Sequence, residues 1–567
     1  MKKINFSRLA LTLALVCSAS FIQAADVYVS NDGVDTNGGT SPTDAVATLS
    51  KAYDLLGATR TGTIYVSGTV DGSSQVASYD TQGLLPFLGI NTADLTIQGV
   101  AGTDPKIEND GTIRIFRLRG DNVLKLKDLT FSSTNATTFA GGCGYVDGGS
   151  LEADHVVFEN FTTSNHGAVF AVNSISTAKP LIALRNCTFR NNKTTAGNMG
   201  GSVMRVNDFG DKAGIKVYIE NCVAIGNTSD YGAFFFRYTG STNIPEITFI
   251  NSTFKENVTG NGNGGVIALY SANQTVNVIN CTIKDNTGRG AINSAAATFN
   301  IYNSILEGNS NQDFRDNSSG NGINNVANSF IFTTNQADYT KPEGYTTTNQ
   351  LLGAFDPETN SYTPLQTSLA INFGAKQYAL TYDQLGNPRP FTDDLCDAGA
   401  IETDKIAPVI TAEAQDEAVD YNLDANDTDF AAWLAANGNA EATDRTAITW
   451  SNDFDAENWI DDENNGRHIA VTFTATDAWG NATPTTATFT INGTITGIQT
   501  TTAGFIPYRA DGKLIIQSGS EIFRIELISV SGQTIRSSLN NEISLGNIGK
   551  GVYLIKINNN VVRKVIL

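Results

Sequence analysis

Leu184-Arg185-Asn186-Cys187-Thr188-Phe189, Ile219-Glu220-Asn221-Cys222-Val223-Ala224, Phe249-Ile250-Asn251-Ser252-Thr253-Phe254, Val278-Ile279-Asn280-Cys281-Thr282-Ile283 and Ile301-Tyr302-Asn303-Ser304-Ile305-Leu306 are five copies of one phrase. The Asn returns after 35, 30, 29 and 23 residues, and Phe131 and Phe158 hold the place of Phe189 in two earlier copies. Each copy carries a Gly-rich lead-in to an apolar strand, such as Gly167-Ala168-Val169-Phe170, Gly200-Gly201-Ser202-Val203-Met204 and Gly232-Ala233-Phe234-Phe235. Short strands returning at this period, with no helical periodicity, describe a stacked solenoid. One such coil cannot bury its apolar residues. Stacked at about 4.8 Å, every inward side chain meets an equivalent one above and below. The spacing therefore predicts that Asn186, Asn221, Asn251, Asn280 and Asn303 fall in one vertical row, their amides bonding each other and the turn. Cys187, Cys222, Ser252, Cys281 and Ser304 then share the next file. Because Ser replaces Cys there, the cysteines read as small packing residues.

These marks resemble the right-handed parallel β-helix proteins of the pectin-lyase-like fold, over roughly residues 26–331. Asp26-Val27-Tyr28-Val29-Ser30 looks like the opening strand of such a helix, and Leu49 to Leu56 is expected as a short helix capping the first coil. Further on, Ser368-Leu369-Ala370-Ile371-Asn372-Phe373-Gly374, Asp383-Gln384-Leu385-Gly386-Asn387-Pro388-Arg389-Pro390 and Asp397-Ala398-Gly399-Ala400-Ile401-Glu402 resemble the ending of choice-of-anchor Q proteins. That resemblance implies an exported, anchored architecture and no particular reaction.

From Pro408 to Asn492 the pattern changes. Ala470-Val471-Thr472-Phe473-Thr474-Ala475-Thr476 and Thr486-Ala487-Thr488-Phe489-Thr490-Ile491 flank an Asp477-Ala478-Trp479-Gly480-Asn481 turn, as two strands of a small sandwich. This stretch is similar to hyalin-repeat and bacterial Ig-like modules, with a short helix expected within Asp429 to Asn439. The last segment holds Ser531-Gly532-Gln533, Gly551-Val552-Tyr553-Leu554-Ile555-Lys556 and the basic ending Arg563-Lys564-Val565-Ile566-Leu567. It resembles the type A C-terminal sorting domain of the type IX secretion system, with Ile506-Pro507-Tyr508-Arg509 where a Pro-Asn-Pro lead-in is usual. The fold class is thus all-β: a right-handed parallel β-helix followed by two small β-sandwich domains. The expected boundaries are 1–24 for a signal peptide, 25–403 for the β-helix with its cap and anchor-Q-like ending, 404–492 for the Ig-like module and 493–567 for the sorting domain.

Lys2, Lys3 and Arg8, the apolar run Leu9 to Val16 and the small residues leading to Ala24 and Ala25 have the order of a cleaved signal peptide. Val16 before Cys17 disfavours a lipoprotein. No later stretch is long and apolar enough to span a bilayer as a helix. A net charge of −20 opposes a nucleic-acid partner. After the signal, Cys143, Cys187, Cys222, Cys281 and Cys396 remain, an odd number with no CxxC spacing, and only His155, His166 and His468 could join them at a zinc site.

Chemistry is harder to find. A polysaccharide lyase needs carboxylates to hold Ca²⁺ on the substrate's acid groups and a Lys or Arg to take a proton. The best local collection is Arg205, Asp208, Asp211 and Lys212, but it sits on one loop rather than across neighbouring coils. Arg205, Arg237 and Tyr270 are candidates for one strand position in successive turns, without a column of acids. No carboxylate pair is placed by the repeat for glycoside hydrolysis. His155 and His166 read as polar-turn residues. Among Tyr231, Phe234, Phe236, Tyr238 and Tyr270, alternation buries half, against a sugar-stacking strip. No cofactor is implied, and Ca²⁺ enters only with a lyase. The expected partners are a polysaccharide or host-surface glycan and the type IX machinery. The leading reading is a non-catalytic surface binder or adhesin. The alternatives are a secreted polysaccharide lyase or glycosidase and a purely structural envelope component.

Overall fold

The computed structural model describes residues 25–567 apart from 74–83, 86–91, 174–180, 196, 198–199, 209–213, 239, 241–243, 261–264, 271–273, 295–296, 317–323, 335–339, 345, 347–349, 390–394, 405, 422–425, 445, 462–465, 494–504, 519–520 and 560. The signal-peptide expectation for 1–24 lies outside the described residues. The chain divides into two compact units, 1–403 and 404–567.

The first unit is a parallel β-solenoid. A turn is built from strands such as Phe170–Asn173, Leu181–Arg185 and Thr188–Arg190. Each lies parallel and in register on its counterpart in the next turn, Met204–Asp208, Lys216–Glu220 and Val223–Ile225. Stacking runs from Ala25–Ser30 to Phe330–Ile331. Alternation sends every second side chain inward. Phe131, Phe158 and Phe189 stack on one another at 5.5 and 5.3 Å between ring centroids. The helix Leu49–Leu55 begins at Thr48, whose hydroxyl accepts from Lys51 N at 3.2 Å. It buries Leu49, Ala52 and Tyr53 in the same core as Val27 and Val29 of the first strand, so the first coil does not expose its apolar side.

The five asparagines form the expected row. Asn186, Asn221, Asn251, Asn280 and Asn303 have φ between 46° and 53°, a left-handed bend that asparagine tolerates better than most residues. His155 and Asn328, with φ of 53° and 51°, continue the row in the flanking turns. The amides, however, bond each other at only two steps, Asn221 to Asn186 at 3.1 Å and Asn303 to Asn280 at 3.3 Å. The continuous ladder lies six residues later. Asn192, Asn227, Asn257, Asn286 and Asn309 are buried, and each Nδ2 donates to the next amide oxygen at 2.8–2.9 Å until Asn309 ends on Asp313 at 2.6 Å. In the file after the first row, Cys222 N donates to Ser252 Oγ and Cys281 N to Ser304 Oγ, and all five cysteines are free and buried.

The first row is interrupted because another segment takes its amides. Residues 351–389 and 395–403 return along the bends as a strap. Asn328 Nδ2 donates to Phe373 O at 2.9 Å, Asn303 Nδ2 to Ala375 O at 2.9 Å, Asn280 Nδ2 to Asp397 O at 3.1 Å and Asn251 Nδ2 to Tyr382 O at 2.7 Å. Residues 383–389 and 397–403 form the strap's own core. Arg389, wholly buried, pairs with Glu402 at 2.6 Å and reaches Asn251 Oδ1 at 3.1 Å. Asp383 accepts from Leu385, Asn387 and Glu402, and Asp397 from Asn372 and Thr403.

In the second unit, strands Arg467–Thr476 and Ala482–Asn492 pair antiparallel around the turn that Asp477 closes, its carboxylate accepting from Trp479 N and Asn481 N at 2.8 Å each. The helix Asn426–Ala435 starts three residues earlier than the sequence suggests and seats Trp433 on Phe473 and Phe489. Residues 505–566 form a three-stranded and a four-stranded antiparallel sheet around Leu514, Ile516, Ile525, Leu527, Ile555 and Ile557. Ser531-Gly532-Gln533 is the hairpin turn, with Gly532 at φ 84°.

Candidate functional site

One face of the solenoid gathers arginines from coils far apart in sequence. Residues that alternate with the buried Phe116, Leu118, Val146, Phe170, Met204, Val206, Phe234 and Phe236 point away from the core, although Ala171, Phe235, Ala268 and Asn207 among them are themselves buried. Register places Arg117 beside Tyr145, then Ala171, Arg205, Phe235 and Ala268 along one file. Two residues further along the strands, Arg119 lies beside Asp147, and Asn207 beside Arg237. Arg205 and Arg237 thus occupy neighbouring files, not the shared strand position the sequence suggested. Tyr270 joins Arg237, since Tyr270 N bonds Phe236 O and its ring centroid is 5.6 Å from the Arg237 guanidinium.

Aromatic rings carry the guanidinium groups. Arg114 lies 5.0 Å from the Tyr145 ring and 5.5 Å from Phe139, Arg117 is 5.1 Å from Tyr145, and Arg205 is 5.2 Å from Phe235. A ring against the guanidinium plane fixes the group while the N–H donors stay in that plane, suited to carboxylate or sulfate oxygens. Asp147 pairs with Arg117 at 3.0 Å and with Arg119 at 3.7 Å, one carboxylate between two cations. Burial, then the neighbouring Arg117, pulls Arg114 down to about 10, and burial followed by Arg237 does the same to Arg205. Both remain charged at neutral pH. Like charges held this close in a partly desolvated site carry a cost that an incoming anion relieves.

His166 is the other titratable group here. Burial and then Arg205 lower it to about 4, and its Nε2 lies 3.5 Å from Asn207 Nδ2. The imidazole is therefore neutral at physiological pH, and a folded-state pKa below the ordinary one means that acid costs stability. That contribution is present above the unfolded value of about 6.5 and is lost as pH falls through about 4. In a proton NMR titration the His166 ring is expected to titrate near 4; a midpoint near the ordinary histidine value contradicts the buried, arginine-flanked position. His155 belongs elsewhere, in the row of bends beside Asp154 at 3.0 Å.

Of the sequence candidates, Arg205 lies on this face. Asp208 ends its strand, but its side chain, like Asp211 and Lys212, falls outside the described residues. Arg114, Arg117, Arg119 and Asp147 escaped the sequence reading. Their signal was the alternation Phe116-Arg117-Leu118-Arg119, which register alone connects to Arg205. Phe234, Phe236 and Tyr238 are core, as alternation suggested, whereas Phe235 points outward under Arg205. In the second unit, carboxylate oxygens of Asp404, Asp444 and Asp477 lie within 4.8 Å of one another, a donor set of the kind Ca²⁺ takes. Asp477's bonds to its own turn account for its place there.

The fold defines the class, a parallel β-solenoid followed by smaller, largely antiparallel β-modules. Residues 507–567 match the family model described as a secretion system C-terminal sorting domain. That domain directs the protein through the type IX machinery to the cell surface or the medium. Among solved structures, pectate lyase Pel9A is similar at 16% identity, covering 67% of this chain and 96% of that one with a TM-score of 0.31, a likeness too loose to bear on activity. No curated protein matches the chain. Among the described residues no helix is long and apolar enough to cross a membrane.

Proposed function

We propose that this exported solenoid holds an anionic polysaccharide along its arginine and aromatic face and does not turn it over. The observation that carries the reading is the convergence of Arg114, Arg117, Arg119, Arg205 and Arg237 on one face of a chain whose net charge is −20. Acidic proteins repel polyanions, so a local cationic strip backed by rings is a selective feature. Residues 351–403 serve in this reading as the anchor-Q-type ending, and 404–492 as an Ig-like spacer between the binding solenoid and the sorting domain.

A lyase is the second reading, favoured by one observation, the depressed Arg205 beside a neutral His166. Against it, the described face offers a single carboxylate, Asp147, and that is already shared by two arginines. The purified protein, run by affinity electrophoresis in gels with polygalacturonate, alginate, chondroitin sulfate or neutral xylan, is expected to be retarded by the charged polymers. The retardation should weaken as salt rises. Retardation by xylan alone overturns the proposal. Accumulation of unsaturated uronate products, followed by ultraviolet absorbance, replaces it with the lyase reading.

A further inference from the structure

The strap covers only part of the row of bends. Where it stops, a cleft of about 660 Å³ opens between the solenoid and the strap's turn at Tyr382, Gln384 and Gly386. Its floor is the uncovered part of the same row, Asn186 and Asn221 with His155 above them. In the covered part, successive asparagines read the main chain of the strap. Asn251, Asn280, Asn303 and Asn328 each donate to a backbone carbonyl, and Asn303 also accepts from Ala375 N at 2.8 Å, embracing that residue's own peptide groups.

The uncovered bends have the same backbone conformation, and two of the three, Asn186 and Asn221, carry the same side chain. Asn221 donates to Asn186 and Asn186 to Asp154 Oδ1 at 2.8 Å, one bond from each amide nitrogen that has two hydrogens to give. Asn221 Oδ1 has no protein partner but is itself buried, so what the row offers an occupant is the remaining N–H donors of the two amides. The wall beside them is ordered in advance. Glu220, nearly buried, pairs with Arg185 at 3.2 Å and accepts from the Tyr382 hydroxyl, so strap and solenoid already meet at the mouth of the cleft.

We propose that this cleft is a docking groove for an extended segment of another polypeptide, held by Asn186 and Asn221 through its main chain as Asn251 to Asn328 hold the strap. Continuity with the strap names the occupant: the covered bends show what kind of group this row of amides takes. The three bends from His155 to Asn221 span about 10 Å at the inter-strand spacing, the length of about three extended residues. Recognition through backbone groups makes the groove tolerant of side chains, with Arg185 and Glu220 at its side setting what preference there is.

The test uses the full mature chain and a fluorescent ten-residue peptide copying residues 373–382, followed by anisotropy. Saturable binding is expected. The double substitution Asn186→Gly and Asn221→Gly removes both amides while permitting positive φ, and Thr359→Trp, on the exposed rim, fills the mouth without touching the row. Each is expected to weaken binding on the order of tenfold or more. Absence of saturable binding by the unaltered protein overturns the proposal, as does binding unchanged in both variants. Displacement of the peptide by cellohexaose also overturns it, by assigning the cleft to a sugar.

Discussion

Asn257→Ala is expected to destabilise the solenoid by about 3–5 kcal/mol, since a fully satisfied buried network loses a member from its middle. Asn257 is wholly buried. Its amide donates to Ala224 O and Asn286 Oδ1 at 2.9 Å each, and accepts from Asn227 N at 3.1 Å and Asn227 Nδ2 at 2.9 Å. Alanine deletes all four bonds and takes the acceptor from a buried backbone N–H. The loss falls on the stack rather than on one turn, because every rung is bonded to the rungs on both sides. Asn277→Ala is the control. It removes an amide that donates to Thr248 Oγ1 at 3.2 Å and accepts from Asn300 Nδ2 at 2.7 Å on the partly exposed outer surface, where water replaces both partners, and should cost less than about 1 kcal/mol. Urea midpoints at unchanged slope measure both. Equal losses would mean that the inner ladder is no more than surface decoration.

Arg389→Met is expected to release the strap. The guanidinium side chain is 0% exposed, pairs with Glu402, and also donates to Asn251 Oδ1, Gly399 O at 3.2 Å and Ala400 O at 3.3 Å. Methionine fills much of the volume, but leaves the Glu402 carboxylate buried without its cation, a loss of about 3–5 kcal/mol. Burial first, and Asp397 second, already push the Glu402 carboxyl up. With Arg389 in place that carboxyl sits at about 7, and losing the cation raises it further. A raised acid loses stability as pH rises through its folded value, so the variant's deficit should grow as the solution is made alkaline above about 7 and level off below it. Hydrogen exchange across 373–402 reports the release directly. Protection equal to that of the unaltered protein at neutral pH would show that the strap is held by something other than Arg389.

The solenoid was legible because the phrase around Asn186 repeats with its Cys or Ser neighbour and because Phe131, Phe158 and Phe189 keep phase. The inner ladder had an equally regular signal, Asn192, Asn227, Asn257, Asn286 and Asn309 at the same steps of 35, 30, 29 and 23 residues. It was hidden by the variety around it, Asn191, Gly226, Glu256, Asp285 and Gly308, whose common property is a positive φ rather than a residue type. The strap's docking was invisible for another reason. Its bonds to Asn251, Asn280 and Asn303 join positions 72 to 131 residues apart through main-chain carbonyls, which leave no mark on the residue types. The arginine face falls between these cases. Alternation around Arg117, Arg119, Arg205 and Arg237 says that they point outward, but only the register of intervening turns says that they share a face.

That shared face is what the proposed binding requires. The direct measurement is affinity electrophoresis in polygalacturonate of the double charge reversal Arg205→Glu and Arg237→Glu, checked for an unaltered urea midpoint. Both side chains are partly exposed at the surface, so the fold should tolerate the change. The unaltered protein is expected to be retarded, and the variant to migrate as it does in a polymer-free gel after its own charge change is allowed for. A folded variant retarded as strongly as the unaltered protein would place the polysaccharide somewhere else on the molecule.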